Sequence, residues 1–437
     1  MMPLVCRVRR LLLGLAIVAA GVAGAPSGAC AQEGSPAPSP DSSDHPNQTP
    51  YATDRSLAYH ALASPAYVLH AVTRPLGWGV RYVTQRFPNL FEGRRPPAGV
   101  LPLVEIGGPT GALGGLALYD NTLFGSDHSG RVEGLYGGPD TYQAEATYQV
   151  PTPVGPGTHF RLRANVFSDP ESEFYLGGND SDLDLDESFY TRDQVDVTAS
   201  LSAAPADRGP YGRVELLYEH VETSRGEGLR GDRFARAQPD GLGTVDLLTS
   251  RLALGLDRTV GRPRTYSGTE VLLRLDYTHD LTSDRYRYGR YVLEVRQYLP
   301  VGVFPNSRRL ALRGRLEQAE PLFEGTAVPF YQRPGLGGQN LLRGFRTNRF
   351  QNDGSLVLNA EYRYPVWSNW DAVAFVDAGQ VFSTLSTVAA NRFNWSYGGG
   401  LHMLNQKGLS FRFEVAGSSD GIRTILTVEP PFRRLSR

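Results

Sequence analysis

The residues of this chain that could do chemistry carry charge, and few of them are candidate nucleophiles. The most conspicuous lie in "GGQNLLRGFRTNRFQND", Gly337 to Asp353, a basic stretch without strand alternation set between two segments that alternate cleanly. An acidic counterpart, "DSDLDLDE", runs from Asp180 to Glu187. Its oxygens could hold Ca²⁺ or cations that bridge lipopolysaccharide, but the spacing and glycine of an EF-hand loop are missing, so a solvated charge run is the reading. The eight histidines are scattered at 45, 60, 70, 128, 159, 220, 279 and 402. Neither a G-x-S-x-G elbow nor an H-E-x-x-H pair is present, so no catalytic residues, no metal site, no cofactor and no enzymatic activity are expected. Near-equal charge, 44 basic against 45 acidic side chains, excludes a nucleic-acid bias.

These groups must be positioned by strands. The 49 Gly, 22 Tyr and 19 Phe suit many strands joined by turns. From Val100 onward the period is two. In "TEVLLRLDYT" the apolar Val271, Leu273, Leu275 and Tyr277 oppose Glu270, Arg274, Asp276 and Thr278. "RRLALRGRLE" and "LSFRFEV" repeat the pattern, with Leu312 and Phe411 on the apolar side.

About sixteen such segments can be counted, and an even number closes an antiparallel barrel with both ends on one side. Charges of both signs in mid-strand suit a wet lumen and would be costly in a dry core. Tight connections after the twelfth and fourteenth segments contrast with long ones after the fifth, seventh and eleventh, as in outer-membrane barrels. The expectation is an all-β fold: a 16-stranded antiparallel transmembrane β-barrel with a short N-terminal helical segment and an inward-folded loop between strands 11 and 12. Outer-membrane lipids would surround it, and a monomer is expected.

The flanks divide as follows. Residues 1–31 read as a signal peptide, with Arg7, Arg9 and Arg10 before an apolar run and small residues at Ala29 to Ala31. Cleavage there removes Cys6 and Cys30, leaving no thiol. Residues 32–53 are Pro/Ser-rich and read as a disordered linker. Residues 54–99 read as an N-terminal helical segment broken at Pro65 and Pro75, suited to plugging a pore, lying on a membrane surface or packing. The barrel spans 100–432 and a tail 433–437. Pro102, Pro430 and Pro431 remove amide donors from the first and last strands, so the seam between them should pair weakly.

The long connection Pro321 to Asp353 holds too much apolar material, including Phe330, Tyr331, Phe345 and Phe350, to be left in water. "LGGQNLLRGF", "SLVLNAEYRYPV" and "AFVDAGQVF", in that order, resemble the barrel domain of the bacterial surface antigen family, which includes the BamA and TamA assembly factors. The resemblance covers roughly residues 100–432. It implies that the loop folds into the lumen, with Arg343, Gly344 and Phe345 as its docking motif and Glu361 and Asp377 as lumenal partners. Strand parity independently turns Glu361 and Asp377 inward, and an arginine can bridge two carboxylates in fixed geometry. Gly344 is read as permitting a tight backbone turn. Phe432 resembles the terminal aromatic of the family's insertion signal, although five residues follow it.

The resemblance further implies a protein of the Gram-negative outer membrane that inserts or translocates unfolded outer-membrane client proteins, or lipids. Only Gln32 to Gly99 precedes the barrel, without β-α-α-β-β order, so a short form lacking recognisable periplasmic client-binding domains is expected. The alternative is a plugged or gated pore for a solute.

Overall fold

A computed structural model describes residues 98–428, apart from short stretches within the connections. The signal peptide, the linker, the helical segment up to residue 97, Phe432 and the tail lie outside the described residues. Sixteen strands make one closed barrel: β1 Ala98–Gly108, β2 Gly111–Leu123, β3 His128–Gly138, β4 Thr141–Pro151, β5 Thr158–Tyr175, β6 Glu187–Ala203, β7 Gly209–Arg225, β8 Gly243–Asp257, β9 Gly268–Asp280, β10 Arg287–Pro300, β11 Arg309–Pro321, β12 Gly354–Trp367, β13 Trp370–Phe382, β14 Asn394–Asn405, β15 Gly408–Ser418 and β16 Gly421–Val428. Every neighbouring pair is antiparallel, and β16 returns to β1.

Two boundaries differ from the alternation pattern. Ala98 and Gly99, assigned above to the helical segment, begin β1 and pair with Asp120 and Tyr119 of β2. Small residues carry no alternation signal, so only the partner strand reveals them. Strand β6 starts at Glu187, ahead of the alternation near residue 192, because its first residues pair with Ser172–Tyr175 beyond a bulge in β5.

The two faces sort as a membrane barrel requires. Leu275, Tyr277, Leu312, Leu358, Phe413 and Val415 are exposed on the outside. Charged residues of the opposite parity meet one another inside, as where Arg313 and Arg315 flank Glu294 at 2.8 and 3.3 Å. Closure pairs the strand edges with one another, as a membrane-spanning sheet requires.

The seam closes the sheet between its first and last strands. Strand β1 pairs with β2 from Ala98 to Gly108, whereas its described ladder to β16 holds three pairs: Val104 with Val428, Glu105 with Thr427 and Ile106 with Leu426. Pro102 sits on β1 just beyond this ladder without an N–H to give.

At the end with the long connections, lumen-facing Phe174, Tyr190, Val221, Leu247 and Tyr288 pack with Phe234 of the β7–β8 connection and with Val328, Phe330 and Tyr331 of the β11–β12 loop. The Phe330 ring lies 4.8 Å from Tyr190 and 5.3 Å from Phe234, nearly edge-on to the first and tilted against the second.

Candidate functional site

The β11–β12 loop descends into the lumen and is tied down at several points. A two-residue ladder, Gly335–Leu336 with Phe350–Gln351, closes its neck. Beyond it, the Gly338 N–H donates to the Phe345 carbonyl at 2.9 Å, making residues 338–345 a compact turn. Gly337 and Gly338 adopt positive φ values of 113° and 80°, a conformation that a Cβ would strain. Leu336, Leu342, Phe345 and Phe350 pack on Val357 of β12 and Val381 of β13, so apolar burial holds the turn against the wall.

Arg343 projects from this turn into three carboxylates on three strands. Its Nε and Nη2 donate to the two Asp377 oxygens at 2.9 and 2.8 Å, a bidentate pair on β13. Its Nη1 donates to Glu361 of β12 at 2.7 Å and to Glu414 of β15 at 3.0 Å. The guanidinium carbon lies 3.4 Å from the centre of the Phe375 ring. Asn359 and Ser396 also donate to Asp377, at 2.8 and 3.2 Å. Arg363 holds Glu361 at 2.7 Å and Arg412 holds Glu414 at 2.8 Å, so three guanidiniums face three carboxylates. Burial opposes the charge on Arg343, but the hydrogen bonds and charge of Asp377, then the charges of Glu361 and Glu414, outweigh it and raise its pKa.

Glu361, His402 and Glu414 also bring potential metal-ligand atoms within 4.8 Å of one another. The chain's own cations already occupy those carboxylates: Arg343 lies between them, and His402 sits 2.8 Å from Glu414. The donor set is that of a guanidinium site.

Gly344 serves differently from the sequence reading. Its φ is not positive, and a Cβ there would come within 2.7 Å of the Cβ atoms of Ser396 and Ser418 and 2.8 Å of the Gly417 carbonyl. Close approach to the wall, rather than a tight turn, requires glycine. Phe345 is fully buried, 5.1 Å from the Phe350 ring.

Several anchors were missed from sequence. Arg346 reaches Glu173 of β5 and Glu187 of β6 at 2.6 and 2.7 Å. Arg349 is buried, 2.7 Å from Asp420 in the β15–β16 turn, and also bonds Ser181. Glu187 is therefore a buried ion-pair partner, which corrects its assignment to a solvated run. The three arginines recur every third residue in "RGFRTNRF", the one local signal that could have grouped them. Glu414 alternates with Phe413 and Val415 like any lumenal charge, so its sequence singled out nothing.

Residues 122–417 match the family described as the Omp85 superfamily domain. Among solved structures, the chain is similar to BamA from Haemophilus ducreyi lacking POTRA domains 1-3, with a TM-score of 0.56 and 16% identity over 76% of this chain and 70% of that one. It is similar also to CdiB from Escherichia coli, with a TM-score of 0.51 and 13% identity over 77% of this chain and 63% of that one. No curated protein matches by sequence.

Proposed function

The chain belongs to the Omp85 superfamily, and from that premise we propose that this outer-membrane β-barrel assists the insertion or translocation of proteins, or of lipids, at the outer membrane of a Gram-negative bacterium. The observation that carries the reading is the pairing of two features in one barrel: a lumenal loop anchored by Arg343 on Glu361, Asp377 and Glu414, and a polar side chain of the same loop, Gln339, set on the closing seam between Glu105 and Thr427. A barrel that handles unfolded chains needs a place where its wall can part, and the β1–β16 closure, where Pro102 has no N–H to give, is the candidate place. The similar BamA and CdiB barrels support the same reading at the level of fold.

Depleting the protein and measuring the outer-membrane proteome and lipids tests it. Loss of a set of barrels, of exported proteins or of particular lipids is expected. An outer membrane unchanged in both would refute the proposal.

The charged lumen keeps a second reading in view, a gated solute pore. The loop and the aromatic cluster around Phe330 obstruct that lumen. A large steady conductance of the wild type in planar bilayers would favour the pore.

A further inference from the structure

The loop's turn carries a second polar side chain, four residues before Arg343, and it lies on the seam. Gln339 Nε2 donates to Glu105 Oε1 of β1 at 3.1 Å, while Gln339 Oε1 accepts from Thr427 Oγ1 of β16 at 2.9 Å. Glu105 and Thr427 are direct partners in the β1–β16 ladder, the middle one of its three described pairs. One carboxamide, using one donor and its acceptor, therefore spans the pair that joins the ends of the sheet.

The rest of the turn sets where this amide sits. The Gln339 carbonyl accepts from Arg412 Nη2 at 2.6 Å, and Arg412 in turn holds Glu414, which holds Arg343. The Gly338–Phe345 hydrogen bond closes the turn, so Gln339 and Arg343 belong to one hydrogen-bonded unit.

We propose that Gln339 is a latch across the β1–β16 seam, so that the seam parts freely only when the loop lifts off the wall. The side chain length matters: asparagine is one methylene shorter and cannot reach both partners. Polarity matters as well, because a carboxylate at this position would face Glu105. The latch rests on the reading that the seam opens, but it can be tested without any client.

The test is amide hydrogen exchange of the purified full chain in phospholipid nanodiscs, read at peptides covering 98–108 and 421–428. Gln339→Ala and Gln339→Asn are expected to raise exchange at these peptides roughly fivefold, with β8 and β9 unchanged and the loop still protected from protease. Gln339→Glu is expected to raise it further, and adding Glu105→Gln to it should restore protection, since the amide and carboxylate have then traded places. Unchanged seam exchange in Gln339→Ala, or an equal rise in every strand, would overturn the latch. Failure of the depletion experiment alone would remove the assembly function and leave the latch standing.

Discussion

Arg343 is held by complementarity of charge and shape together: a planar fork against one carboxylate, a remaining nitrogen against two more, and an aromatic face beneath. Removing it leaves Glu361 with Arg363, Glu414 with Arg412 and His402, and Asp377 with the neutral donors Asn359 and Ser396. Arg343→Ala should therefore destabilise the docked loop by about 3–5 kcal/mol, well beyond the roughly 0–1 kcal/mol of an exposed pair. Limited proteolysis in detergent reads this directly, and a loop as protected as in the wild type would contradict it. Lysine at the same position keeps the charge but loses the fork, so Arg343→Lys should recover only part of the protection. Gly344→Ala pushes a methyl against Ser396 and Ser418 and should cost about 1–3 kcal/mol in thermal unfolding, with the loop displaced. A variant as stable as the wild type would show that the wall yields instead.

Among the elements, the β11–β12 loop couples most of the barrel's inner surface. Its first part closes the aromatic cluster through Phe330, and its middle reaches β12, β13 and β15 through Arg343. Its last part reaches β5 and β6 through Arg346, and the β15–β16 turn through Arg349. The first and second parts are held by different forces, dispersion and apolar burial on one side and ion pairing on the other. They should thus respond differently to salt. Phe330→Ala is expected to cost about 3–5 kcal/mol at any ionic strength and to raise single-channel conductance by opening the end with the long connections. Conductance unchanged by Phe330→Ala would mean that the closure lies elsewhere along the lumen. Arg346, half exposed, should instead show weaker, salt-sensitive effects when replaced by alanine.

At the scale of the whole molecule, the sheet closes on itself. The last junction, β1 to β16, is described over three residue pairs, with Pro102 beside them on β1. The two faces of the sheet also predict opposite tolerance to charge. Leu358→Arg, on the exposed apolar face, should reduce folding into liposomes by about 2–4 kcal/mol if it lies near the bilayer midplane. Thr147→Arg, beside Glu145 on the wet side, should change folding little. Comparable losses from both substitutions would contradict the assignment of faces.

The strand order and the sorting of faces were legible in the sequence because alternation is a local signal: Val271 to Tyr277 declare their parity without knowing their neighbours. Closure through β1 and β16, and the inward placement of Glu361 and Asp377, follow from the even count and that parity. The docking of Arg343 was legible only through resemblance to a family, since nothing local ties residue 343 to residue 377. The tertiary structure alone decided what lies across the lumen. Glu414 as a third partner, Arg346 and Arg349 as further anchors, Gly344 as a point of close approach and Gln339 on the seam all depend on which strands curve to face the same turn. Periodicity assigns a side chain to a face, whereas a contact across a bore requires the curvature of the sheet and the depth of the loop. Those are properties of the closed barrel, and no segment carries them by itself.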